Sequence, residues 1–409
     1  MKEKLCIIGG GAAGIFCAVN AARMNRSLRV VLLEKSSKLL SKVKVSGGGR
    51  CNVTHACFNI SDMAKRYPRG GNFVKRSFSG FFTNDTIRWF EERGVELKAE
   101  ADGRMFPVSD SSQTIINCLL DEASKYNVDI RLNEGVTAIN RRNDKWNVET
   151  SVGKVEQCDH LVIACGGFPK VEQFGWIINT GHSIENPLPS LFTFNLPSHP
   201  ITGLMGIAQQ ASVKIAGTKF QEEGPVLITH WGLSGPAILR LSAWAARELA
   251  SFNYRFSIRI NWIPEFHENS CREELIRMRS VHASQKIANR NPFEMPARLW
   301  QFFLDQAEVE KDTRWADLTA KSQNMLAKLL TTFECEVSGK TTFKEEFVTA
   351  GGVKTEEIDP LTMQSKICSN LYFAGEIMNV DGITGGYNFQ HAWTSGFLAA
   401  KSIAGAFTN

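Results

Sequence analysis

Six residues near the start of the chain have the spacing needed to hold a phosphate. Gly9-Gly10-Gly11-Ala12-Ala13-Gly14 satisfies G-x-G-x-x-G, and the acidic Glu34 follows twenty positions after Gly14. In that pattern Gly9 permits a tight turn, Gly11 lets the backbone approach a pyrophosphate, and Gly14 lets a helix pack closely on a strand. A helix starting here directs free N–H groups and its positive dipole end at the phosphates. Glu34 would accept hydrogen bonds from ribose hydroxyls and disfavour a 2′-phosphate. The competing reading is a glycine-rich turn without a ligand. Context weighs against it, because an apolar strand at Leu5–Ile8, a helix at Ala12–Met24 and a β-branched strand at Leu28–Glu34 supply the strand, turn, helix, strand order that the chemistry needs.

The fingerprint alone does not separate NAD from FAD. Two distant segments bear on that choice. Leu161-Val-Ile-Ala-Cys-Gly-Gly, which contains Ala164 and Gly166, resembles the turn that flanks the dinucleotide in two-dinucleotide-binding flavoproteins. Leu371-Tyr-Phe-Ala-Gly-Glu-Ile, with Gly375 and Glu376, runs on to Asp381-Gly-Ile-Thr-Gly-Gly-Tyr-Asn-Phe-Gln. That pair looks like a carboxy-terminal FAD segment, in which a strand ends in Gly plus an acid and a following helix start faces the flavin.

Three further motifs make the resemblance specific. Ser46-Gly47-Gly48-Gly49-Arg50-Cys51-Asn52-Val53-Thr54, Thr229-His230-Trp231-Gly232-Leu233-Ser234-Gly235-Pro236, and Thr349-Ala350-Gly351-Gly352-Val353 through to Gly385-Gly386-Tyr387-Asn388 together resemble the BaiN/YhiN-like family of FAD-dependent oxidoreductases, over essentially the whole chain. The resemblance implies an α/β fold: a Rossmann-like FAD-binding domain made from both ends of the sequence, interrupted by an inserted β-barrel plus helical domain. It implies Gly9, Gly11, Ala13 and Gly14 at the pyrophosphate and Glu34 and Lys35 at the adenosine ribose. Lys42, Ser46, Gly47, Gly48, Gly49, Arg50, Cys51 and Asn52 would run along the flavin, and Val136 would stand at the adenine side. Ala164, Gly166, Gly375, Glu376, Asp381, Gly385, Gly386, Tyr387, Asn388 and Phe389 would complete the pocket. One branch of the family is associated with reduction steps in bile-acid dehydroxylation, and membership alone does not deliver a reaction.

Flavin chemistry leaves the protein to orient substrate and tune the ring, so no dedicated nucleophile is required. Cys51 could be a redox thiol, yet without a C-x-x-C partner a packing role is the better reading. His230 could donate a proton; a hydrogen bond at a corner of the insert competes with that role and is preferred. Tyr387 and Asn388 are candidate ring neighbours, with a plain turn role as the alternative. Ser234 fails the nucleophile-elbow pattern because Pro236 replaces the final glycine. His391 reads as helix packing, and Trp300, Phe302 and Phe303 as insert core. Nothing in the sequence reads as a metal site.

The elements that must position these residues divide at composition breaks. Residues 1–188 and 344–409 read as the FAD-binding domain and 189–343 as the insert, with barrel strands in 189–265 and 331–343 and helices in 266–330. Lys35 to about Gly80 has little periodicity and reads as mostly loop. Val136–Ile139 and Trp146–Thr150 read as a hairpin, and a helix is expected from Trp393.

Over 409 residues, 43% hydrophobic and 22% charged content is that of a globular protein, and no apolar run is long enough for a transmembrane helix. The amino terminus runs straight into the first strand with no signal-peptide pattern, and ten cysteines form no C-x-x-C pair; both features point to a cytoplasmic enzyme. A small-molecule substrate is expected. A net charge of +5 without a basic stripe makes nucleic acid an unlikely partner, and oligomeric state is not legible. The expected function is FAD-dependent hydride transfer. No second G-x-G-x-x-G exists for a nicotinamide domain, so NADH or NADPH would dock transiently as electron donor. The alternatives are a tRNA- or RNA-associated flavoprotein and a flavin redox sensor.

Overall fold

The computed structural model describes residues 3–341 and 348–405; the boundary expected at 343/344 lies outside them. The described chain falls into two compact units, 3–190 with 348–405, and 191–341.

The first unit is built on a five-stranded parallel sheet. Lys4–Ile8 (β1) lies at its centre, with Arg29–Leu33 (β2) and then Asp129–Arg131 on one side, and His160–Ile163 and then Leu371–Phe373 on the other. Leu5, Cys6, Ile7 and Ile8 are all buried, as continuous apolar runs in a sheet covered on both faces must be. Helix Ala12–Met24 (α1) crosses from β1 to β2, and the carboxy-terminal helix Tyr387–Ile403 packs along it. Gly396 makes that approach possible, since a Cβ there would stand 2.6 Å from the Ala13 carbonyl oxygen. Phe16, Trp89, Phe90 and Trp393 fill the space beside α1 with edge-on and tilted ring contacts.

Three local expectations change. The stretch expected as loop after Lys35 contains helices Ser41–Gly49 (α2), Ile60–Ala64 and Gly71–Ser77. They are too short to show a periodicity, and tertiary burial of residues such as Met63, Phe73 and Val74 holds them. The hairpin gains a third strand at Val155–Cys158. The carboxy-terminal helix begins at Tyr387, ahead of Trp393, because Gly386 supplies a left-handed cap.

The second unit is an antiparallel sheet of strands in the order Phe333–Ser338, Arg255–Asn261, Ala208–Ile215, Gln221–Thr229, Gly232–Ser234, Thr193–Asn195, Lys340–Thr341. The first and last strands of that order are consecutive in the chain, joined by Gly339 alone, so the sheet closes on itself as a barrel. Its interior takes the alternate residues Val213, Ile215, Val226, Ile228, Ile258 and Ile260. Helices Glu268–Val281, Ala297–Gln306 and Ala320–Thr331 belong to the same core, where Trp300 and Phe303 are buried and Phe302 is partly buried. No helix among the described residues is long and apolar enough to cross a membrane.

Candidate functional site

In a parallel sheet every strand ends at the same edge, and loops from distant parts of the sequence converge there. Four such loops meet in the first unit: Gly9–Gly11 after β1, Glu34 after β2, Ala164–Gly167 after His160–Ile163, and Ala374–Glu376 after Leu371–Phe373. The Ala164 N–H donates to the Ile8 carbonyl (2.8 Å) and the Ala374 N–H to the Ile163 carbonyl (3.0 Å), which locks adjacent loops in step.

The three fingerprint glycines differ in what surrounds them. A Cβ on Gly14 would sit 1.9 Å from the Gly9 carbonyl oxygen, and one on Gly9 would sit 2.4 Å from that of Ala164, so both positions are closed by backbone. Gly11 has no protein atom within 4 Å of its Cβ position. It is also the N-cap of α1, offers no capping side chain, and has no acid in the turn that follows. The helix start is therefore open to an anion. Glu34 reaches across to accept from the Gly10 N–H (2.8 Å) and the Ser36 N–H (2.9 Å), fixing the β2 loop on the glycine turn. The Glu134 N–H donates to the Glu34 carbonyl (2.9 Å), which brings Gly135, just before half-buried Val136, against the exposed Lys35.

A second cradle breaks the last turn of α2. Ser46 is extended and Gly47, Gly48 and Gly49 take φ of 59°, 69° and 86°; no protein atom lies within 4 Å of a Cβ on Gly48 or Gly49. Successive N–H groups in this left-handed conformation form a concavity suited to carbonyl or phosphate oxygens. Arg50 leans over the Phe106 ring and pairs with Glu100, which holds the loop from outside. The Asn52 amide, with its oxygen toward Gly386, accepts that N–H at 3.0 Å and donates to the Thr54 carbonyl at 3.0 Å. Sequence-distant motifs are thereby joined. Gly166 is likewise open, whereas Glu376 accepts from Lys42 Nζ and from the Thr349 N–H (2.9 Å). These open glycine positions, on the helix start and on the second cradle, leave the backbone approachable by a dinucleotide.

Other expected residues have a different placement. Asp381 was expected to line the pocket, but its carboxylate is fully buried and is taken up by Arg69 and the Ser190 hydroxyl; it clamps the loop from within. Burial pushes its carboxyl above the usual range despite the Arg69 guanidinium. Tyr387, Asn388 and Phe389 form the first turn of the carboxy-terminal helix. The Tyr387 ring stacks on His55 at 4.7 Å and its carbonyl accepts from Tyr67 Oη (2.6 Å); Phe389 stacks on Trp393. Asn388 closes the loop by exchanging hydrogen bonds with the Gly382 backbone (2.8 and 2.9 Å). Cys51 is buried with φ of 64°, and burial pushes its thiol up to about 12, so it is a protonated packing residue at neutral pH. His230 is an exposed residue of the second unit, edge-on to Trp231. Among the described residues no cluster could hold a metal ion.

Sequence reasoning missed His55, Tyr67, Arg69 and Gln390. Nδ1 of His55 donates to the Gly385 carbonyl (3.0 Å), and the Gln390 side-chain oxygen accepts from Thr54 (2.6 Å) and Thr86 (3.0 Å). No linear spacing marks these partners, which lie hundreds of positions apart.

The fold and the site together define a Rossmann-type flavoenzyme of the FAD-dependent oxidoreductase class. The chain belongs to the HI0933-like family, whose model, described as the HI0933-like protein Rossmann domain, matches residues 3–402. It is 32% identical to the ribosomal RNA dihydrouridine synthase of Escherichia coli, over 98% of both chains. It is 27% identical to the 3-dehydro-bile acid delta(4,6)-reductase of Clostridium scindens, over 98% of this chain and 99% of that one. In fold it is similar to the 3-ketosteroid-delta4-(5alpha)-dehydrogenase of Rhodococcus jostii, with a TM-score of 0.52 and 12% identity over 98% of this chain and 97% of that one.

Proposed function

We propose that this protein reduces a carbon–carbon double bond conjugated to a carbonyl group, and that its substrate is a uridine in ribosomal RNA. The observation that carries this reading is the end-to-end similarity to two relatives whose names share one chemistry. Dihydrouridine is uridine saturated at C5–C6, a bond conjugated to the C4 carbonyl, and a 3-dehydro delta(4,6) compound carries double bonds conjugated to a ketone. The higher identity, 32% against 27%, favours RNA.

In such a reduction a hydride adds to the β carbon and a proton to the α carbon. FAD, once reduced, supplies the hydride, and NADH or NADPH, docking transiently, is the proposed source of its electrons. The protein's share is to hold the cofactor. Gly9, Gly11, Ala13 and Gly14 would bind the pyrophosphate, and Glu34, Lys35 and Val136 the adenosine. Lys42 and Ser46 through Asn52, with Ala164, Gly166, Gly375, Glu376 and Gly385 through Phe389, would enclose the rest. The open space at the Gly11 and Gly48 Cβ positions supports that assignment.

A second reading keeps the chemistry and takes a small enone as substrate. It is favoured by the bile-acid relative and by the near balance of acidic and basic residues across the helical stretch 266–330.

The deciding experiment is anaerobic. NADH or NADPH is added to the purified yellow protein while the flavin band is watched; the reduced protein is then offered unmodified ribosomal RNA and a panel of enones. Saturated uridine in RNA digests, with binding that weakens steeply as salt rises, is the expected result. Reduction of enones alone would establish the second reading. A reduced flavin that saturates neither substrate class would sink both.

A further inference from the structure

Resting on the RNA reading above, we propose that the exposed face of the short helices Ile60–Ala64 and Gly71–Ser77, carrying Phe58, Lys65, Arg66, Lys75 and Arg76, is the surface on which the RNA strand docks beside the flavin site.

Residues 35–84 contain ten Lys and Arg and a single acid, Asp62, although the whole chain carries only +5. The rest of the chain is therefore net negative, and the positive charge is concentrated in the segment that follows β2. Its cations stand singly or in pairs, so no run of like charge marks them. Three are engaged by acids from elsewhere in the fold: Lys42 by Glu376, Arg50 by Glu100 and Arg69 by Asp381. Lys65 pairs with Asp62 (2.8 Å) on the surface, an exposed pair that exchanges readily for a phosphate. Arg66, Lys75 and Arg76 are exposed, with no ion pair among the described residues. Lys75 and Arg76 also suit the last turn of their helix, but that role does not account for ten cations to one acid.

The backbone of this segment is laid along the loop that leads into the carboxy-terminal helix. The Ile383 N–H donates to the Arg66 carbonyl (3.0 Å), the Tyr67 hydroxyl donates to the Tyr387 carbonyl (2.6 Å), and the Arg69 guanidinium holds the Asp381 carboxylate. The two short helices abut, since a Cβ on Gly71 would stand 3.2 Å from the Ala64 carbonyl oxygen. The Arg66 charge also reaches His55, which stacks on Tyr387: burial first, and that charge after it, push the imidazole down. The basic face thus borders the Gly385–Gly386 turn, where the flavin head is assigned.

Cations spaced along one edge suit the successive phosphates of a nucleic-acid strand, whose binding is driven by release of counterions. Phe58, 56% exposed, is the one large apolar side chain left open in residues 35–84 among the described residues, and it stands just before the Asn59 cap of the first helix. An open ring among cations is what stacks an unpaired base. Position favours RNA over other polyanions, because the face adjoins the place where the reacting base must stand.

The test uses the full holoprotein and unmodified ribosomal RNA. One variant combines Arg66→Gln, Lys75→Gln and Arg76→Gln; a control removes the same charge from exposed positions of the second unit, by Lys214→Gln, Lys219→Gln and Lys328→Gln. The first variant is expected to keep the parent's visible flavin spectrum and to bind RNA about tenfold more weakly or worse. Its slope of log affinity against log salt should be shallower by about 2, since about 0.7 is lost per phosphate contact on a single strand. Phe58→Ala should weaken binding about fivefold or more with the slope unchanged. A first variant that binds RNA as the parent does, or a control that weakens binding equally, overturns the proposal and leaves the RNA reading standing. A parent that neither binds RNA nor saturates its uridine brings down that reading and the proposal with it. Binding to phosphatidylserine vesicles that the first variant loses, with RNA binding intact, would assign the face to a membrane surface instead. Should the first variant not fold, ribosomal RNA substituted with 4-thiouridine is photocrosslinked to the unmutated protein: adducts within residues 55–76 support the proposal, and adducts confined elsewhere overturn it.

Discussion

Lys42 in α2 and Glu376 on the turn after the Leu371–Phe373 strand stand 334 positions apart and form an ion pair of 2.5 Å. The second Glu376 oxygen accepts the Thr349 N–H, so one carboxylate fastens three segments at the edge of the sheet. Lys42 is 43% exposed, and an ion pair so open to water contributes less than about 1 kcal/mol to stability. Glu376→Gln is therefore expected to change the melting temperature little while loosening FAD. Flavin released on dilution, followed by fluorescence beside thermal denaturation, separates the two effects.

Gly11 and Gly14 give opposite outcomes for the same substitution. Gly14→Ala drives a methyl into the Gly9 carbonyl and is expected to cost about 3 kcal/mol or more, or to prevent folding. Gly11→Ala meets no protein atom; only a weaker helix cap, about 0.5–1 kcal/mol, is lost. Its defect belongs to FAD binding. Denaturant melts of the two cofactor-free variants, with FAD titration of the Gly11 variant, check this.

Arg69→Met leaves the Asp381 carboxylate buried without its guanidinium, which costs about 3–5 kcal/mol at neutral pH. The sign with pH follows from the raised carboxyl. Losing the guanidinium lifts the buried carboxyl further than in the parent, so the variant's native state takes up its proton at a higher pH and gains more stability as pH falls, and the deficit of Arg69→Met should shrink between pH 7 and pH 5. A deficit that is constant or grows over that range would contradict the buried-pair account.

His391 imposes the opposite slope on the cofactor-free protein. Its folded value of about 4 lies below the unfolded 6.5, so the unfolded chain binds the extra proton between them. The stabilisation is complete above about pH 6.5 and is lost as pH falls toward 4, on the order of 3 kcal/mol at most. His391→Gln should flatten that part of the stability curve, measured by denaturant melts across the window.

Cys51 is expected to resist alkylation at neutral pH until the protein unfolds, because burial keeps its thiol protonated. Cys51→Ala should retain turnover. Rapid modification of Cys51 in the native protein, or loss of turnover on that replacement, would restore the redox-thiol role.

Much of this is legible in the sequence alone. Local signals identified what is local: the glycines of Gly9–Gly14 sit on a strand-to-helix turn with Glu34 at the end of the next strand, because steric limits on turns act over a few residues. The buried strands at Leu161 and Leu371 were visible as short apolar runs, and the resemblance of the widely spaced glycine motifs pointed to the flavin fold. Short helices between Lys35 and Gly80 were not legible, since their apolar faces make sense only against partners far along the chain.

Within the site the division is sharper. Residue type and spacing could say that Gly11, Gly48 and Gly166 permit a close approach, but not that these positions are open while Gly14 is closed. They could nominate Asp381, Tyr387 and Cys51, but not reveal that Arg69 and Ser190 take up the first, that His55 stacks on the second, or that burial silences the third. Whether a polar side chain is free to act depends on which groups compete for it across the fold. That competition, which pairs Asp381 with Arg69 and Ser190 and shuts His391 away from water, arises only when the chain is folded.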